Sequence, residues 1–146
     1  MITSDACLSR YGDPENEHNM QVWHAPAPLM AGKLPAKIYC NRDLIGPLEA
    51  AFGNVIERGL IDEIDSWDGC FNIRKKRGGT THSLHSWGIA FDINAAGNAF
   101  GKPPTMSPAL VACFTDAGFD WGGNWSKPDG MHFQLAKFPE TDYGQA

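Results

Sequence analysis

The sequence predicts an α+β fold in which one small antiparallel sheet carries helices packed on one of its sides. Three observations point there. Gly88 to Asn94 and Met131 to Leu135 each alternate bulky apolar residues with small or polar ones, the period of a half-buried strand. Leu44, Leu48, Ala51, Phe52, Val55 and Ile56 recur at helical spacing. Ser107-Pro108 then reads as an N-cap followed by proline at the first helical position.

Taken in chain order, residues 1–37 contain Pro14, Pro26, Pro28 and Pro35 with little periodicity. They are expected to wrap irregularly, with one short helical turn near the start. The main amphipathic helix begins after Asn41, a good cap, has Pro47 early and stops at Gly59. The segments Ile61 to Ser66 and Cys70 to Arg74 read as further strands. In the strand 88–94, Ile89, Phe91 and Ile93 form the apolar set, so Asp92 points away from it. The shorter second helix runs through Leu110, Val111 and Phe114 to Gly118. In the last strand Met131, Phe133 and Leu135 face the core, leaving His132 and Gln134 on the other side.

A chain of 146 residues is one ordinary domain, and one this size buries roughly 68–70% of its unfolded surface without staples. Residues 1–146 are therefore read as a single domain, monomeric by default. The formal net charge is −5, and the basic residues gather only at Arg74-Lys75-Lys76-Arg77, which excludes an extended phosphate-backbone partner. No segment approaches the ~20 apolar residues of a membrane span, and Met1 to Arg10 lacks the apolar stretch of a secretory signal. Synthesis as a soluble cytoplasmic protein is the expectation. Cys7, Cys40, Cys70 and Cys113 are widely spaced, without Cys-x-x-Cys pairs, so they are expected to be packed thiols.

The polar faces of the two strands carry the chemistry. A catalytic zinc site takes three protein ligands and leaves one position open; His85, Asp92 and His132 supply such a set, with a tight turn carrying His85 over the strand of Asp92. Asp129, three residues before His132, is placed to act as general base beside the metal water. Arg74 and Arg77 can fork onto a carbonyl or carboxylate of a substrate. Trp87, Trp121 and Trp125 are candidates to wall a cleft and stack on substrate, and Ser83 to bind there or shape the turn. His82 is a weaker alternative ligand, while His18 and His24 lie in the irregular N-terminal third.

The stretch Ser83-Leu84-His85-Ser86-Trp87-Gly88-Ile89-Ala90-Phe91-Asp92 resembles the Ser-x-His-x-x-Gly-x-Ala-x-Asp signature of the D-alanyl-D-alanine carboxypeptidase and L-alanyl-D-glutamate endopeptidase family of zinc enzymes. That family shares its fold with the hedgehog signalling domain. Asp129-Gly130-Met131-His132, preceded by Trp121-Gly122-Gly123-Asn124-Trp125, is similar to its second motif, and Gly69 to Arg74 to its arginine-bearing strand. The likeness spans about Ile38 to Leu135. It implies zinc on His85, Asp92 and His132, Asp129 as base, Arg74 as transition-state clamp and Arg77 as a second substrate contact. One departure is Asp129 itself, where many members carry Glu.

The resemblance further implies hydrolysis of a peptide bond in the peptidoglycan stem peptide. An L-alanyl-D-glutamate endopeptidase of the bacteriophage endolysin type is the leading expectation. Such an enzyme would accumulate in the host cytoplasm and reach the wall after a separate protein opens the membrane. The alternatives are a D-alanyl-D-alanine carboxypeptidase or dipeptidase, and a non-catalytic zinc-binding module of the same fold.

Overall fold

The computed structural model describes residues 1–30 and 33–140. They form an α+β fold with three α-helices and two antiparallel sheets. Helix α1 (Ser4–Tyr11) is followed by β1 (Met20–His24) and β2 (Lys37–Asn41), which pair as a two-stranded sheet. Next come α2 (Arg42–Glu57), β3 (Trp67–Gly69), β4 (Ala90–Ile93), α3 (Pro108–Thr115), β5 (Phe119–Trp121) and β6 (His132–Leu135). The four later strands make the second sheet in the order β3-β4-β6-β5.

The core lies between that sheet and helices α2 and α3. Phe91 of β4 and Phe133 of β6 sit opposite each other in register and stack at 5.5 Å. Phe114 of α3 lies 4.5 Å from Phe133, and Phe52 of α2 lies 5.3 Å from Phe114. All four rings are fully buried, each burial worth roughly 1.5–3 kcal/mol relative to exposure. Because side chains alternate along a strand, this packing turns Asp92 and His132, also direct register partners, to the opposite face.

Helix α2 begins where expected: the Asn41 side chain accepts from Asp43 N. The same residue reaches across the fold, its amide donating to Trp87 O and its backbone N–H to Gly88 O. The N-terminus of α2 is thereby tied to the turn that carries His85. Gly88 permits this contact. Its φ is +70°, and a Cβ there would stand 2.8 Å from Asn41 N, so only glycine fits without displacing backbone.

Three expectations need correction. The N-terminal third is more regular than its prolines suggested: α1 is capped by Thr3, and β1 and β2 form a five-residue-a-side hairpin. Helix α1 packs against the turn Leu84–Trp87. Ile61–Glu63 is a 3-10 turn, and the edge strand is Trp67–Gly69, so neither 61–66 nor 70–74 is a strand. The four cysteines are all buried and unbridged; burial pushes the Cys7 and Cys40 thiols up to about 12.

Candidate metal centre and its cleft

His85 sits in the 3-10 turn Leu84–Trp87, capped at its start by Ser83, whose Oγ accepts from His85 N. The turn ends at the left-handed Gly88, whose N–H donates back to His85 O. The imidazole is thereby swung over β4. Its Nε2 lies 3.3 Å from Asp92 Oδ2, His132 Nδ1 lies 3.3 Å from Asp92 Oδ1, and the two ring nitrogens are 3.2 Å apart. His85 and His132 are nearly inaccessible, at 3% and 5% exposure.

These atoms fit a zinc ion on two grounds. Tetrahedral zinc with bonds of about 2.0–2.1 Å separates neighbouring ligand atoms by about 3.3 Å, the spacing found here. The outer ring nitrogens also face acceptors: His85 Nδ1 is 2.8 Å from Cys70 O, and His132 Nε2 is 2.9 Å from Gln134 Oε1. With the protons held there, both inner nitrogens present lone pairs. Two lone pairs and a carboxylate crowded together repel unless a cation lies among them. Asp92 Oδ1, moreover, is buried without a hydrogen-bond partner.

The electrostatics agree. Burial alone would raise the Asp92 carboxyl, but His132 and His85 outweigh it and hold the group well below the usual carboxylate range. For His132 burial acts downward, yet Asp92 and Gln134 raise its basicity above the ordinary value. The pocket favours positive charge at its centre. Because Gln134 fixes the His132 ring, Gln134→Leu is expected to lower zinc affinity about 10–100-fold, read by competition with a chromogenic chelator.

Asp129 approaches the same centre from the loop before β6, with its carboxylate 4.0 Å from His132 Nδ1. Burial raises its pKa, opposed by His132 and Arg77 and supported by Asp92. Its backbone is fixed: Asp129 N donates to Gly122 O, and Asp129 O accepts from His132 N. Gly122 must be glycine here, since a Cβ would lie 2.5 Å from Asp129 O. That close approach explains the Trp121-Gly122 pair in the sequence, and Trp121 Nε1 closes it by donating to Gly130 O.

The three-residue centre opens into a cleft of about 400 Å³, whose lining includes Asp129, Arg74, Arg77, Ser83 and Trp125. Trp125 stands 5.3 Å from the His132 ring. Arg74 is half-buried and its backbone is clamped: its N–H donates to Ser86 Oγ, and its carbonyl accepts from Ser83 N and Ser86 Oγ. Arg77 is exposed, at a turn, over the Phe100 ring.

Trp87 does not belong to the cleft. It is 4% exposed, packs in the core and donates its indole N–H to Gly12 O, so the expectation that it stacks on substrate is withdrawn. His82 is outside the ligand cluster, edge-on to Trp87, and His18 and His24 are exposed. The sequence reading missed Gln134 and the Cys70 carbonyl as supports of the ligands. For Gln134 a signal was present, since it shares the polar face with His132; a main-chain carbonyl leaves none. It also missed that Met1 and Ile2 line the cleft.

A family model described as D-alanyl-D-alanine carboxypeptidase matches residues 77–135, less than half of the chain but a stretch holding His85, Asp92, Asp129 and His132. Comparison with curated proteins and with solved structures gives no match.

Proposed function

We propose that this chain is a zinc peptidase of the D-alanyl-D-alanine carboxypeptidase type that hydrolyses a peptide bond in bacterial peptidoglycan, cutting between L-alanine and D-glutamate. The observation that carries the reading is the grouping of His85, Asp92 and His132 beside a cleft that Asp92 and His132 line together with a separate, partly buried carboxylate, Asp129. A metal-binding module without activity needs no such fourth group. The family match, though partial, falls on this same set.

His85 Nε2, His132 Nδ1 and Asp92 would hold the ion. Bound zinc supplies a Lewis acid for the scissile carbonyl and acidifies water to near neutrality. Asp129 takes the proton of the attacking water and later delivers it to the leaving amine, a role that a carboxylate of raised pKa performs better than an ordinary one. Arg74, whose backbone is clamped at the cleft wall, steadies the carbonyl oxygen as charge develops there. Trp125 walls the cleft next to the ligands and limits water. Arg74→Lys is expected to lower turnover roughly 10-fold with zinc retained, because an ammonium cannot reproduce the fork. Steady-state kinetics on a wall peptide, beside metal analysis, check it.

The test of the reaction is digestion of purified wall material by the zinc-loaded protein, with the new termini identified by mass spectrometry. Fresh amino-terminal D-glutamate supports the endopeptidase; release of terminal D-alanine supports the carboxypeptidase or dipeptidase, which the description of the matched family favours. No new termini would leave the non-catalytic module. The proposal includes a phage lysis role, with the monomer made in the host cytoplasm and released to the wall by a separate membrane-opening protein. Among the described residues no helix is long and apolar enough to cross a membrane.

A further inference from the structure

Asp129 is not held by its own main-chain bonds alone. The loop from Asn94 to Thr105 leaves β4 just after the ligand Asp92 and returns to lie against residues 128–130. It has little regular structure to stiffen it: one 3-10 turn, Ala95–Gly97, and Lys102 N donating to Ala99 O.

One side chain joins the two ends of that loop. Asn98 is 1% exposed; its amide nitrogen donates to Asn94 O at 3.0 Å, and its Oδ1 accepts from Thr105 N at 2.8 Å. Both polar atoms of the carboxamide are committed to main chain, so the group spans the loop as a cross-brace.

The brace bears on the segment of Asp129. A Cβ on Gly130 would stand 2.9 Å from Asn98 Oδ1, 3.3 Å from Asn98 Cβ and 3.0 Å from Pro104 Cβ, an approach that only glycine allows. Gly130 O accepts from Trp121 Nε1, and Pro128 O accepts from Gly101 N at 2.7 Å. The residues on either side of Asp129 are thus both in contact with the loop, while Asn98 itself does not line the cleft.

We infer that Asn98 is a positioning residue for Asp129: it braces the loop 94–105 against Gly130 and so sets where the carboxylate stands beside His132. The inference deepens the peptidase reading and rests on it for the role of Asp129 as base. A working base is held within about 0.5 Å of its productive geometry, and misplacement by about 1 Å can cost about 10²-fold. Loss of the two hydrogen bonds of Asn98 frees the loop behind Gly130 to make a shift of that size.

The experiment has two arms, both on the zinc-loaded protein. In amide hydrogen exchange, Asn98→Ala should speed the Asp129 and Gly101 N–H groups at least about 10-fold, while Ile93, whose N–H donates to Met131 O, keeps its rate. In steady-state cleavage of a wall peptide, Asn98→Ala should retain zinc and lower kcat about 10–100-fold with KM little changed. That loss should shrink to less than about 2-fold when Asp129→Ala is already present, and persist in full beside Arg74→Lys. A general loosening of the fold would instead multiply equally in both backgrounds. If Asn98→Ala does not fold, Gly130→Ala reaches the same contact from the other partner and should show the same pattern. Unchanged exchange at Asp129, or an undiminished loss in the Asp129→Ala background, overturns the assignment. Faster exchange at Asp129 in a protein that cuts no peptide upholds the brace and defeats the peptidase reading instead.

Discussion

Replacing His85 or His132 with alanine is expected to reduce bound zinc from about one ion per chain to near zero. Each variant leaves two protein donors, and structural or catalytic zinc in proteins is held by at least three. The second donor also loses its setting, because the ring nitrogens and Asp92 are within 3.3 Å of one another. His82→Ala is the internal control: it removes a histidine three positions from His85 that lies outside the cluster, and zinc should be retained. Metal content after dialysis, beside circular dichroism to establish folding, reads the result. Full occupancy in folded His85→Ala and His132→Ala proteins would place the ion elsewhere.

Asp129→Ala should separate metal binding from turnover. The carboxylate stands 4.0 Å from His132 Nδ1, beside the ligand triangle and not part of it. Zinc is therefore expected to stay, while hydrolysis falls about 10²–10⁴-fold, the usual contribution of a positioned general base. Asp129→Asn should fall comparably, since the amide keeps the shape and cannot accept the proton. Loss of zinc in step with activity would make Asp129 a ligand and reopen the search for the base.

The grouping of Asp92 with His132 was legible because strands translate sequence into direction with little ambiguity. Once Phe91 and Phe133 are assigned to the core, Asp92 and His132 have only one other face to occupy. Helix α2 was equally open to reading, its cap and its periodic apolar residues falling where the pattern placed them. What the sequence hid is tertiary. Trp87 stands between two ligands and looked like a cleft wall, but the capped turn ending at Gly88 carries its indole inward to Gly12. Arg74 looked like the end of a strand. It is held instead by the hydroxyl of Ser86, a side-chain bond without periodicity. The N-terminal third was obscured by its prolines, although the hairpin β1–β2 and the Tyr11 hydroxyl donating to buried Asp43 bind it to α2.

The paired positions Asp92 and His132 have a consequence for the chain as a polymer. An ion joining them to His85 ties together two strands and a turn, and its two histidines are 47 residues apart in sequence. Closing a loop of that length restricts the unfolded ensemble much as a covalent bridge does, in a chain whose four thiols form no bridge of their own. Zinc would then be a removable cross-link. The protein's resistance to unfolding becomes a function of free metal concentration, and the place where it first takes up the ion decides where it first becomes durable.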